Sequence, residues 1–211
     1  MTTSAASLRS VGEGPDATVR KRVRKDPASR RAELVRAARE VFGRCGYAET
    51  GITEIAHEAQ VSKALLYHYF PDGRPQLFVA VAEQLLEEFR ARVRQAAQVP
   101  FSPEKRMEQL LGAIFGFFDN SPEAYRLLFR DSSASRDHAV EEASALTRAQ
   151  LSAELAALMA SSGMDADELV AVSGGILGFV LANVDLVLAE QIDAETAWRV
   201  STAYATAAVS V

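Results

Sequence analysis

A chain of 211 residues with 48% hydrophobic and 24% charged side chains can bury one large core, or a small domain joined to a larger one. Its formal charge of −5 would argue against nucleic acid if evenly spread, but residues 20–75 hold twelve Lys/Arg against seven Asp/Glu, and residues 76–211 ten against nineteen. A basic head on an acidic body is the layout of a DNA-binding protein, and one cysteine, Cys45, excludes an internal disulfide.

Residues 1–26 show no periodicity and end in the basic run Arg20 to Lys25, which predicts a disordered basic arm able to track phosphates. They lack the apolar core of a signal peptide, and with the lone cysteine this predicts a cytoplasmic protein. A helix is expected over about 27–44, with Leu34, Ala38, Val41 and Phe42 on one stripe and Gly43 and Gly46 at its end. Two short helices follow. The first, Ile52 to Ala59, is capped by Thr50 or Gly51, and the second, Lys63 to Phe70, by Ser62. Pro71 closes the second, and Pro75 fits the first turn of the next helix, read over about 76–99.

Ser102-Pro103-Glu104 and Ser121-Pro122-Glu123 each open a further helix. Three longer ones are expected at about 136–161, 165–189 and 193–209. The apolar stretch 169–188 is broken by Ser173, three glycines, Asn183 and Asp185, so a buried helix is expected there and no membrane span. No strand pattern is visible. The fold class is all-α with about nine helices: an N-terminal three-helix DNA-binding domain at 27–75 and a larger helical domain at 76–211.

The two short helices have the requirements of a helix-turn-helix, which lays its second helix across the major groove. A small residue inside the first helix, an apolar residue at the turn and an apolar anchor on the second are supplied by Ala56, Val61 and Leu66. Lys63 can then reach guanine acceptors or a phosphate, while Ala64 and Leu65 can pack on thymine methyls. Tyr67 and Tyr69 carry hydroxyls suited to phosphate oxygens, and His68 is a further backbone or base-edge contact. Ser62, at the helix start, and Thr53, on the first helix, complete the candidate set.

The string Val61-Ser62-Lys63-Ala64-Leu65-Leu66-Tyr67-His68-Tyr69-Phe70 resembles the recognition helix of TetR-family transcriptional regulators. The resemblance runs from about Arg31 to Ala80 and includes Ala37 to Phe42, Gly46-Tyr47 and Ile52 to Ala56. Two positions depart from the family pattern. Gln60 stands where the family has glycine at the turn, and Pro71-Asp72-Gly73-Arg74-Pro75 is one residue longer than usual. The resemblance implies that Arg74 takes the phosphate contact a lysine makes in relatives.

The resemblance further implies that residues 76–211 hold an inducer cavity and pair two chains through the helices at 165–189 and 193–209. Gly174, Gly175 and Gly178 permit the close helix approach such a homodimer needs. Candidate pocket residues are Met107, Leu111, Phe115, Phe118, Tyr125, Phe129 and Asn183, with Arg126, Arg130 and Asp185 as polar partners. His57, His68 and His138 are dispersed, so neither a metal site nor catalysis is expected, and no cofactor. The expected partners are double-stranded operator DNA, palindromic because the reader is two-fold, and a small-molecule effector. Release of a repressor by that effector is the function the resemblance favours. The alternative is an activator, or an architectural DNA-binding protein, without ligand control.

Overall fold

Helical spacing of apolar residues dominates from Pro27 onward, and the chain follows it. The computed structural model describes residues 26–97, 103–130, 137–160 and 162–209, and among these no strand occurs. The elements are α1 (Pro27–Glu49), α2 (Ile52–Glu58), α3 (Lys63–Tyr69), α4 (Arg74–Ala97), α5 (Pro103–Asn120) and α6 (Pro122–Tyr125). A π-helical turn (Arg126–Arg130) leads towards α7 (His138–Met159), α8 (Ala166–Leu188) and α9 (Ala194–Val209). All but the last residue of the 1–26 arm, and the Ser102 cap, lie outside the described residues.

α1 starts on Asp26, whose carboxylate accepts the Ser29 amide at 3.2 Å, with Pro27 at the first helical position. It buries Leu34, Ala38, Val41 and Phe42 as the stripe predicts. Its regular helix breaks off close to the expected end, at the non-helical Gly46. Past the kink at Gly46, where φ is 78° and ψ 165°, a further short helical segment runs to Glu49, and the Thr50 hydroxyl donates to the Gly46 carbonyl at 2.6 Å. The kink carries Tyr47 into the core, where it is 2% exposed.

α2 ends in a Schellman turn: Val61 N–H donates to the Ala56 carbonyl and Gln60 N–H to that of His57, both at 2.9 Å. Gln60 therefore sits at φ 53°, in the left-handed region where a side chain costs energy and glycine does not. Gln60→Gly is expected to raise the unfolding free energy by about 0.5–1 kcal/mol in a urea melt, the relieved strain being offset in part by unfolded-chain entropy. An unchanged or lower midpoint would show the turn to be unstrained.

α4 carries Leu77, Phe78, Val81, Leu85, Phe89 and Val93 on one buried face. Phe78 meets Tyr47 and Phe42 edge-on, with ring centroids 5.0 and 6.0 Å apart, so the core runs across residues 75 and 76. In the body, Phe118 forms close ring pairs with Phe89, Phe117, Tyr125 and Phe129. α8 is long and apolar enough to cross a membrane by length and composition, and it packs against α7 and α9.

Candidate nucleic-acid interface

Ser62 opens α3, its hydroxyl accepting the Leu65 amide at 3.2 Å. Leu66 and Phe70 are fully buried and pin the helix to the head. The opposite arc is solvent-facing: Ser62, Lys63, Ala64, Tyr67 and His68 are exposed, as is Thr53 at the start of α2. Leu65 and Tyr69 flank that arc and are half-buried, and Tyr69 packs against the core with its ring edge-on to His68 at 5.2 Å. Tyr67 rests against the turn before α4, where Gly73 is buried at φ 70° and a Cβ would come within 3.2 Å of the Tyr67 ring.

Arg74 points back into the head. Its Nη1 donates to the carbonyls of Tyr47, Ala48 and Thr50 at 3.3, 3.0 and 3.1 Å, and its guanidinium lies 4.4 Å from the Tyr47 ring centre. It thus supplies positive charge to the end of α1, where helical carbonyls lack partners.

Several polar ties fasten α1 to the body. Arg39 Nη1 donates to both oxygens of Glu88 at 2.8 Å, and its Nη2 to Glu123 at 3.3 Å. Arg126 on the π turn donates to the Gly43 carbonyl at 2.7 Å. The Tyr47 hydroxyl donates to Asp137 Oδ2 at 2.8 Å, and the same carboxylate caps α7 by accepting the Ala139 amide. Burial, and then the bond to Asp137, push the Tyr47 hydroxyl up to about 12, so it keeps its proton at neutral pH and stays a donor.

A cavity of about 360 Å³ opens between the π turn, α7 and α8, lined by Tyr125, Phe129, Arg130, Arg148, Gly178, Leu181, Ala182 and Asp185. The Tyr125 hydroxyl donates to the Leu181 carbonyl at 2.9 Å, and burial, then the Asp185 charge, push it up to about 12. Arg148 donates to the Phe129 carbonyl at 3.3 Å and lies over that ring at 5.5 Å. Arg130 Nε stands 3.5 Å from Asp185 Oδ1. A second void, among Phe89, Leu110, Leu155 and Ile176, has room for about one water, some 20 Å³. No group of three His, Cys, Asp or Glu capable of holding a metal occurs among the described residues.

The family model described as bacterial regulatory proteins, tetR family, matches residues 34–81, the segment from α1 into α4 that carries this head. Residues 34–81 of the chain therefore carry a TetR-family DNA-binding domain. The chain is 29% identical over 148 residues to the transcriptional activator FasR of Mycolicibacterium smegmatis, covering 70% of this chain and 67% of FasR. It is 35% identical over 86 residues to the transcriptional regulator BetI of Brucella canis, a match spanning 41% of this chain and 43% of BetI. A TetR-like regulator from Rhodococcus sp. RHA1 shares its fold, with a TM-score of 0.68, 23% identity, and coverage of 87% of this chain and 97% of that one. So does FadR of Bacillus subtilis in complex with stearoyl-CoA, at TM-score 0.70 and 14% identity, with 85% and 97% covered.

Within the helical body the expected pocket residues part company. Tyr125 and Phe129 line the cavity, whereas Met107, Leu111, Phe115 and Phe118 are packed into the core. Asn183 is buried and donates to the Phe179 carbonyl of its own helix at 2.9 Å. Arg148, Gly178, Leu181 and Ala182 escaped the sequence reading. Arg148 stands in an unremarkable polar stretch, and the glycine of α8 reads equally well as a site of helix approach. Nor does sequence announce Tyr47 and Asp137, which are ninety positions apart.

Proposed function

We propose that this regulator is a repressor that binds a palindromic operator as a homodimer and is released by a small-molecule effector held in the body. The observation that carries the reading is the physical connection between reader and cavity. Phe129 and Arg130, on the π turn, line the cavity while Arg126 of the same turn holds α1, and α7 offers Arg148 to the cavity and Asp137 to Tyr47. An effector that shifts the π turn or α7 would tilt α1, and with it α3, in each subunit. A coupling of a few kcal/mol suffices for useful control.

Pairing through α8 and α9 is supported by their outer faces. Val170, Val200 and Tyr204 are exposed there beside the exposed backbone of Gly174 and Gly175, and Phe179 stacks on Tyr204 at 4.3 Å. Two-fold pairing sets two recognition helices about one DNA turn apart. In this reading Lys63, Ala64 and Leu65 read bases, His68 adds a base-edge or backbone contact, and Ser62, Thr53, Tyr67 and Tyr69 contact phosphates. Arg74 serves by fixing the end of α1. The regulator acts in the cytoplasm, where its operator is.

Band shifts on the gene's own upstream DNA, with competitor present, test the reader. Lys63→Ala is expected to weaken specific binding roughly tenfold or more, and Tyr67→Phe severalfold. Wild-type affinity in both variants would sink the assignment of α3. A second reading, activation, is favoured by FasR, which is named an activator. A reporter fused to the bound promoter separates the two by the sign of the change on deleting the regulator.

A further inference from the structure

We infer that the cavity between the π turn, α7 and α8 takes a compact organic anion of single charge that also carries a hydrogen-bond donor beside that charge, such as a hydroxy acid, on an aromatic or apolar body. The inference deepens the effector reading above and names its ligand class. Two guanidinium groups, Arg130 and Arg148, face the space against one carboxylate, Asp185. With Tyr125 keeping its proton, the described lining residues carry two guanidinium charges against one carboxylate, which favours an anionic ligand.

The cations are placed before any ligand arrives. Arg148 is held from behind by the Phe129 carbonyl and ring, which fixes the guanidinium without cancelling its charge. Arg130 and Asp185 meet at 3.5 Å, well beyond the 2.7–2.9 Å of a tight charged hydrogen bond. Asp185 is about half exposed, but its Oδ1 is screened from water and meets only the distant Arg130 Nε, with no hydrogen bond of normal geometry. A buried carboxylate oxygen in that state favours a ligand that donates to it. A ligand with its anion on the arginines and a hydroxyl towards Asp185 answers both demands, while Phe129, Tyr125 and Leu181 offer its body ring faces and methyl groups. About 360 Å³ lies at the small end of ligand pockets and suits a one-ring compound.

Calorimetry on the full chain tests this with three probes: 3-phenyllactate, 3-phenylpropionate and 3-phenylpropionamide. Phenyllactate is expected to bind at least tenfold more tightly than the neutral amide, and severalfold more tightly than phenylpropionate. Arg148→Gln and Arg130→Gln should each lose at least tenfold in phenyllactate affinity, and Asp185→Asn should remove the advantage of the hydroxyl. Equal binding of acid and amide to the unaltered chain, or no binding of either acid at millimolar concentration, would overturn the assignment without recourse to any variant. Band shifts run in parallel keep the two readings apart. Phenyllactate that binds yet leaves the DNA complex intact refutes effector release and leaves the site standing. Release of DNA by an uncharged compound that competes with nothing in this cavity does the reverse.

Discussion

Phe70→Ala is expected to lower the unfolding free energy by about 3–5 kcal/mol and to abolish DNA binding at temperatures where the wild type binds. Phe70 is fully buried at the end of α3, beneath the guanidinium of Arg31 at 5.1 Å. Its amide closes α3 on the Leu66 carbonyl, and its carbonyl accepts the Gly73 amide, both at 2.9 Å. Truncation would leave a void where α1, α3 and the turn into α4 converge, in a head whose helices are too short to stand alone. Chemical denaturation followed by far-UV circular dichroism measures the loss, and a cost under 1 kcal/mol would show that Phe70 does not hold the head together. Phe70→Leu, which keeps most of the volume, is expected to recover the larger part.

Arg74→Met comes next, at about 2–3 kcal/mol. Three carbonyls share the hydrogens of one nitrogen, so the gain is that of one or two charged hydrogen bonds plus the contact with the Tyr47 ring. Methionine keeps the aliphatic packing and leaves the ends of the α1 carbonyls to water. Lysine at 74 keeps the charge but not the flat guanidinium, and should regain about half. Urea melts of the three proteins at equal salt rank them. If methionine matches arginine in stability but loses DNA affinity, Arg74 is a phosphate contact and its bonds to α1 are incidental.

What the chain discloses before folding is what local physics controls. The α2–turn–α3 unit is legible because Ser62, Val61 and Pro71 act within a few residues of themselves, and α3 starts and ends within a residue of expectation. The strained turn at Gln60 is visible for the same reason, since only a residue at positive φ can close that Schellman bond pair. A 3.6-residue period says which face of a helix is buried and is silent on what lies opposite. That silence explains why Phe115 and Phe118 read as pocket walls and lie in the packed core instead. It also hides Arg148, whose role depends on a helix meeting the π turn across the body. The π turn itself has no sequence mark, because Arg126 to Arg130 continues the apolar rhythm of α6.

The edge-on contacts of Phe78 with Tyr47 and Phe42 have a consequence for anyone building chimeras of this regulator. A graft cut at residue 75 would strip two aromatic rings of their cover and leave the excised reader sticky and poorly ordered. The transplantable module is longer than the reader: it runs from α1 through the first turns of α4, and any host body must offer an acidic residue where Asp137 meets Tyr47. If α3 reads the operator as proposed, exchange of binding specificity between such proteins is simplest by changing its outward side chains, and hardest by moving the head whole.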